Sequence, residues 1–187
     1  MPRSAVDEFQ EFLYDATAAL ILAIDGLMRV QAYLGQGLEN ARRMGVTIPG
    51  PQLFFAGGDP RFNSPVFAPR PIEEALQNCM PGGRYSDLVG HGWIVNVFGT
   101  WEERFRGEIA QELGLSERLA CDPMGDLRRM RNDIAHHLGI ATRGNTGRCS
   151  VLTWFQPGTV ISPRREHAQA LLEVMEPYLV SWRRAPT

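Results

Sequence analysis

The hydrophobic pattern predicts a long first helix over residues 5–44. Ser4 can cap its N-terminus, and apolar side chains then recur at spacings of three or four, as on one face of a helix. Those side chains are Phe9, Phe12, Leu13, Ala16, Leu20, Ala23, Ile24 and Leu27. Gly26, Gly35 and Gly37 weaken the helical pattern, so we also expect a break or kink in the thirties.

A second apolar stripe predicts another helix, over roughly 86–113. Its members share a constant spacing of four, and such a stripe must be buried. They are Val89, Trp93, Val97, Trp101, Phe105 and Ile109. Asp122 as N-cap and Pro123 at the first position predict a further helix that runs to about Leu138. Ser162, also followed by proline, predicts the start of a last helix.

Proline and glycine interrupt the helical pattern elsewhere. Residues 45–71 contain six prolines and four glycines, which no regular helix survives. Because the aromatic runs LFF and VF lie inside this stretch, we expect an ordered loop pinned to the body of the protein. A short helix is predicted over 71–80. The runs RCSVLTWF and GTVI flank a Gln-Pro turn and predict a small β-hairpin.

These elements together predict an all-α protein, a four-to-five-helix bundle with a Pro/Gly-rich ordered loop and at most a small β-hairpin. A chain of 187 residues is most simply a single domain, here residues 1–187. Cys79, Cys121 and Cys149 are widely spaced and odd in number, which argues against disulfides and structural zinc. We therefore expect free thiols, no metal site and no cofactor.

The N-terminal sequence predicts a cytoplasmic location. MPRSAVDEFQEF lacks the basic and apolar regions of a signal peptide. The most apolar run, 16–24, falls short of the ~20 residues that a membrane span needs. We therefore expect no membrane association.

Charge is distributed unevenly along the chain. All nineteen basic residues are arginine. From Asp126 to His167 there are seven arginines and three carboxylates, a net charge of +4, which leaves −6 for the rest of a chain with a total of −2. This asymmetry places a positive field beside two adjacent histidines and favours an anionic ligand there.

The histidines belong to the stretch RRMRNDIAHH, residues 128–137. On a helix, Asn132 and His136 share a face because they are four apart, and Arg131 flanks that face. A histidine that titrates near neutrality can exchange protons with attacking and leaving oxygens. A guanidinium can hold a phosphate and stabilise developing charge. Since RNA brings its own nucleophile, the 2′-hydroxyl, this trio suits phosphodiester cleavage without a metal.

The stretch RNDIAH, Arg131 to His136, resembles the R-[polar]-x-x-x-H motif of HEPN domains (higher eukaryotes and prokaryotes nucleotide-binding), many of which are metal-independent ribonucleases. The resemblance is strongest over 88–138, within a motif region of 86–139, and includes the upstream helix GWIVNVFGTWEERFR. It implies a four-to-five-helix bundle and a homodimer whose two motifs face one cleft. It also implies that Arg131 binds phosphate, that Asn132 is the polar residue beside it, and that His136 is the catalytic histidine.

One position departs from part of that family. In some members that are toxins paired with a nucleotidyltransferase antitoxin, a tyrosine two residues after the histidine is a modification target. Leu138 stands there in this chain. The resemblance therefore does not extend to regulation by adenylylation at that position.

Several neighbouring residues keep two interpretations. Arg128 and Arg129 are either a solvated helix face or contacts to the RNA backbone. Glu102 and Glu103 are either surface charges or residues that orient His136 or pair with Arg131, and periodicity does not choose between the two glutamates. His137 is either a helix-end charge or a partner of Asp133, and these two lack a third ligand for a metal. His91 and His167 are structural or surface residues by default.

The leading function hypothesis is a metal-independent endoribonuclease of the HEPN type. It would be a toxin or defence effector that acts on RNA as a homodimer, with a cognate antitoxin protein as a further partner. The alternative is a non-catalytic HEPN-like module that binds nucleotide, RNA or a partner protein. A third hypothesis is a plain helical bundle in which the histidines satisfy the C-terminus of a helix.

Overall fold

The computed structural model describes residues 3–46, 52–54 and 69–184. Its helices are α1 (Ala5–Arg43), α2 (Ile72–Asn78), α3 (Arg84–Thr100), α4 (Arg106–Glu112), α5 (Asp122–His136) and α6 (Arg165–Arg184). A π-helical turn, Trp101–Phe105, joins α3 to α4 without a break, so the described residues form five separate helices. The fold is an all-α helical bundle with almost no strand, which confirms the predicted fold class.

The chain contains two compact units. The first consists of Met1–Ala23 and Asp87–Thr187, and the second of Ile24–Ser86. The predicted site residues all belong to the first unit. A single domain over 1–187 stays a prediction.

Aromatic side chains form the core of the first unit. The ring of Phe9 on α1 lies 5.0 Å from that of Trp101 and 5.1 Å from that of Phe105, centroid to centroid. Trp101 also stacks on Trp182 of α6 at 5.7 Å. All four are buried, and each stabilises the fold by roughly 1.5–3 kcal/mol. The spacing-four stripe is buried from Trp93 onward, as predicted.

The π turn explains how that stripe stays buried. A constant spacing of four drifts by about 40° at each step around an α-helix of 100° per residue. A π turn has i→i+5 hydrogen bonds and is wider than an α turn. Placed at Trp101–Phe105, it takes up part of the drift and keeps both aromatic residues on the core side.

The second unit contains the rest of α1, α2 and a pair of short strands. The strands, Gln52–Phe54 and Pro69–Pro71, are antiparallel, with Leu53 opposite Arg70. Most of the predicted 45–71 loop, with its pinning aromatic side chains, lies outside the described residues. The break expected in the thirties is absent from the described part of α1, which is helical without interruption to Arg43.

The apolar character of α1 bears on location. By length and composition alone, this helix is long and apolar enough to cross a membrane. Several of its large apolar side chains are exposed: Leu22, Met28, Val30 and Tyr33. A cytoplasmic location without membrane contact stays a prediction.

Two predicted helix starts are wrong, one by one residue and the other by two. The N-cap of α5 is Cys121, and Asp122 lies in the first turn. Helix α6 begins at Arg165. There the Nδ1 atom of His167 accepts a hydrogen bond of 3.0 Å from the N–H of Arg164, which satisfies one of the donors at the helix N-terminus.

The hairpin predicted over 148–161 is also wrong. Residues 158–161 pair with the turn after α5, through bonds such as Ala141 N–H to Thr159 O at 2.9 Å and Ile161 N–H to Gly139 O at 2.8 Å. Residues 149–155 form neither helix nor strand. The segment between α5 and α6 is therefore irregular and held by other groups.

Candidate active site at the end of α5

The motif occupies the second half of α5 and becomes more exposed toward its end. Arg131 and Asn132 are half-buried, whereas His136, the last helical residue, and His137 are exposed. The chain then turns sharply through Leu138, which has a φ of 54°, and a left-handed glycine. The N–H groups of the residues on both sides of Leu138 donate to the Asp133 carbonyl, which closes the helix end.

Arg131 lines a cavity of about 380 Å³ on the side of α5 away from His136. The cavity is also lined by Val95, Asn96, Phe98, Gly99, Thr100, Glu102 and Glu103, from α3 and the π turn. Within the described part of the chain, the guanidinium has one hydrogen bond, a long one of 3.4 Å from Nη1 to Asn132 Oδ1, and no carboxylate partner. Arg131 is therefore available to an anion.

The two glutamates of the π turn both line this cavity but differ in their bonding. Glu102 accepts from Arg106 Nη1 at 2.7 Å and from Arg118 Nη1 at 3.1 Å. Glu103 is exposed and has no ion pair among the described residues. Glu102 therefore organises neighbouring arginines, and Glu103 is the carboxylate left open to a ligand.

His136 does not line the cavity that holds Arg131. Residues five apart point about 140° away from each other on a helix, so the two side chains lie on different sides of α5. Asn132 connects them, since it contacts Arg131 and lies one turn before His136. The structure thus brings Arg131, Glu102 and Glu103 together around the cavity. Asn132 contacts Arg131, and His136 lies apart from the cavity, exposed to solvent.

Of the two interpretations of His137, the pairing with Asp133 is wrong within the described residues. The Asp133 carboxylate is fully buried and accepts from the N–H and hydroxyl of Thr142, both at 2.8 Å, from Asn145 Nδ2 at 2.8 Å, and from the N–H of Thr146 at 3.1 Å. Burial by itself raises the pKa of Asp133, but these hydrogen bonds outweigh it and lower the pKa from 3.8 to about 2. Its role here is structural.

Asp126 holds the next part of the same irregular segment. Its carboxylate is fully buried, and it accepts from the N–H groups of residues 150–152 at 2.7–3.0 Å and from Arg129 Nη1 at 2.6 Å. Arg129, which is partly exposed, therefore has its charge paired with a buried carboxylate. Arg128 is exposed, with no ion pair in the described residues, and it is the freer of the two arginines predicted to contact RNA.

His91 reaches the end of α5, which the sequence did not indicate. Its Nε2 donates to the carbonyl of Ile161 at 2.6 Å. Its ring lies so close to Gly139 that a Cβ there would be 2.4 Å from Cε1. His91 on α3 therefore packs against the turn that follows His136. The glycine after the motif, Gly139, was the signal in the sequence that another group packs closely here. It did not identify His91 as that group.

The other candidate groups are less suited to a site. The three cysteines are free thiols, and burial raises the pKa of Cys121 and Cys149 to about 12. Among the described residues, no three His, Cys, Asp or Glu side chains are placed to hold a metal. A larger cavity of about 590 Å³ includes Arg104, whose charge is already paired with Glu8 and Glu108.

Comparison of this chain with protein-family models, curated proteins and solved structures finds no match. The resemblance to HEPN domains therefore stays a prediction carried by the motif and its surroundings.

Proposed function

We propose that this chain is a metal-independent endoribonuclease of the HEPN type. The observation that carries the proposal is the placement of Arg131, Asn132 and His136 at the open end of α5. There Arg131 has no acidic partner among the described residues, and His136 is exposed. A guanidinium without an acidic partner and an exposed imidazole on the same helix can supply phosphate binding and proton transfer.

The reaction uses the 2′-hydroxyl of RNA as its nucleophile. A histidine takes the hydroxyl proton while the 2′-oxygen forms a bond to phosphorus, and the bond from phosphorus to the 5′-oxygen breaks. A second proton donor gives a proton to that leaving oxygen. Arg131 stabilises the charge on the phosphate oxygens. The products are a 2′,3′-cyclic phosphate and a 5′-hydroxyl.

The proposal includes a symmetric homodimer. One chain supplies one motif histidine, whereas the reaction uses a base and an acid, and two facing copies supply both. Two features support this: His136 lies outside the Arg131 cavity, and the neighbouring Leu138 is 94% exposed, an apolar side chain that a second chain would cover. A strict monomer at micromolar concentration in light scattering would contradict the dimer.

A toxin or defence role extends the proposal to a partner. The HEPN resemblance suggests a cognate antitoxin protein that blocks the open end of α5. Co-expression with the protein encoded by a neighbouring gene should relieve growth arrest caused by this chain. Growth arrest that persists in a His136→Ala strain would contradict RNA cleavage as its cause.

The direct test is incubation of purified protein with single-stranded RNA in EDTA. We expect cleavage with 2′,3′-cyclic phosphate ends, while DNA of the same sequence stays intact because it lacks the nucleophile. Activity that is lost in EDTA and restored by Mg²⁺ or Mn²⁺ would refute the mechanism. RNA binding without cleavage would favour the non-catalytic binding module instead.

A further inference from the structure

The motif is followed by the longest stretch of the sequence that lacks a carboxylate. Residues 134–165 contain neither aspartate nor glutamate. They contain His136, His137, Arg143, Arg148, Arg164 and Arg165. We call residues 134–165 the acid-free strip. Its formal charge is +4 with both histidines neutral, so it is the source of the positive field seen in the sequence.

Two carboxylates contact the strip through groups other than its arginines. Asp133 and Asp126 are fully buried, and the strip presents backbone N–H groups, a hydroxyl and an amide to them. Their charges are therefore compensated inside the protein. The guanidinium groups of Arg143 and Arg148 have no carboxylate partner among the described residues, so their charges are open to an external partner.

Two exposed arginines lie on the part of the strip whose backbone is hydrogen-bonded to the buried carboxylates. Arg143 and Arg148 have no ion pair among the described residues. Arg143 follows Thr142, which is bonded to Asp133, and Arg148 precedes the residues bonded to Asp126. In contrast, Arg42, Arg104, Arg106, Arg118 and Arg183 are paired with carboxylates. The backbone beside Arg143 and Arg148 is thus held by hydrogen bonds to Asp133 and Asp126. Their guanidinium groups have no carboxylate partner among the described residues.

The strip runs beside the open face of α5. Its two anchors, Asp133 and Asp126, are seven residues apart, which is about two turns or roughly 10 Å of helix. Residues 142–152 therefore run back along α5, antiparallel to it. Going around α5 from these anchors, the next exposed side chain is His136. Asn132 and then Arg128 follow further around the helix. A chain of phosphates bound along the strip would end at the motif.

We propose that the acid-free strip binds the phosphate backbone of RNA and leads it to His136. This inference rests on the proposed function, since it assigns the substrate contacts of the same site. Arginine presents paired N–H donors that match phosphate oxygens. The strip itself contributes no carboxylate that would repel a polyanion. RNA is favoured over an acidic protein because the strip begins at residues suited to phosphodiester chemistry.

The test measures binding separately from cleavage. The probe is a labelled single-stranded RNA with 2′-O-methyl groups, which keeps every phosphate charge and blocks attack by the 2′-oxygen. The variant is Arg143→Ser with Arg148→Ser. The matched control is Arg29→Ser with Arg84→Ser, which removes the same charge from two exposed arginines outside the strip that have no ion pair among the described residues. Thermal unfolding checks that both proteins are folded.

We expect the strip variant to bind the probe more weakly and with a flatter salt dependence. Each phosphate contact to single-stranded nucleic acid contributes about −0.7 to the slope of log K against log salt, so two lost contacts reduce the slope by about 1.4. The control variant should keep the wild-type slope. A wild-type slope and affinity in a folded strip variant, from a protein that cleaves RNA, would overturn this inference alone.

The remaining outcomes separate the strip from the activity. If the wild-type protein cleaves no RNA but its binding depends on Arg143 and Arg148, the proposed function fails and the strip assignment stands. If it neither cleaves nor binds, both fail. If a polyglutamate peptide of equal charge displaces the RNA as well as unlabelled RNA does, the strip is a contact for acidic proteins and the RNA assignment is overturned.

Discussion

The two sides of α5 carry similar polar residues but differ in what surrounds them. On one side, Asp126 and Asp133 are fully buried, and the segment 142–152 supplies their hydrogen bonds. On the adjoining side, Asn132 is half-buried and His136 is exposed. A polar group whose bonds are all internal contributes to stability, whereas one that meets solvent can meet a substrate. On this helix, burial distinguishes the polar residues that stabilise the fold from those that can contact a substrate better than residue type does.

The largest expected effect is the loss of cleavage in His136→Ala. Removing a positioned acid or base slows a reaction by about 10²–10⁴-fold. Since His136 is exposed and lies outside the core, far-UV circular dichroism and unfolding should match those of the wild-type protein. Single-turnover cleavage of labelled RNA measures the effect. A folded and fully active His136→Ala protein would show that the open side of α5 is not the reactive side.

Arg131→Ala should reduce cleavage by about 10²–10³-fold, because it removes a donor that stabilises transition-state charge. Arg131→Lys keeps the charge but loses the paired geometry, and it should recover part of the rate. Arg29→Ala, which removes an exposed arginine outside the site, is the control. Equal losses in Arg29→Ala and Arg131→Ala would mean that general charge, and not the cavity position of Arg131, controls the rate.

Replacement of Asp133 by alanine tests the buried side. The substitution leaves the donors of Thr142, Asn145 and Thr146 without their acceptor, and we expect a loss on the order of 3 kcal/mol in the free energy of unfolding. Denaturant unfolding followed by circular dichroism measures it. Asp15→Ala, at an exposed position on α1, should change stability by less than about 0.5 kcal/mol. Equal stability of the two variants would contradict the anchoring role.

Acid should release the same anchor. The folded protein holds the pKa of Asp133 at about 2, below its ordinary 3.8, so it favours the ionised carboxylate. The resulting stabilisation is present above pH 4 and is lost as the pH falls from about 4 to about 2, by roughly 2–3 kcal/mol. Between about pH 4 and about pH 2, the free energy of unfolding should therefore fall by roughly 2–3 kcal/mol more in the wild-type protein than in Asp133→Asn. Parallel losses in the two proteins would refute the assignment.

The helices were predictable from sequence where one face is buried. The apolar spacing located the stripe from Trp93 to Ile109, and the structure buries it. The hairpin over 148–161 was not predictable because its outcome depends on a distant carboxylate. Asp126 takes the N–H groups of residues 150–152, which a strand would have used in its ladder. Spacing along the chain carries no information about that bond.

The candidate site was predictable to a similar extent. Asn132 and His136 both lie on α5, as the helical pattern indicated, and their catalytic roles stay predictions. Helical spacing did not choose between Glu102 and Glu103. Both lie in the π turn, where the angle between successive side chains differs from that of an α-helix. The separation of four between Asp133 and His137 offered their pairing as one of two roles for His137, whereas groups nine to thirteen residues away donate to the carboxylate.

The smallest expected effect separates the two adjacent histidines. His137 follows the last helical residue, with φ −128° and ψ 26°, and its side chain is exposed. Its contribution to the helix end is the backbone N–H that donates to the Asp133 carbonyl at 2.9 Å, which alanine keeps. His137→Ala should therefore retain most of the cleavage rate and change stability by less than about 0.5 kcal/mol. Measured beside His136→Ala under the same conditions, an inactive His137→Ala and an active, folded His136→Ala would move the reactive imidazole from the helix to the turn that follows it.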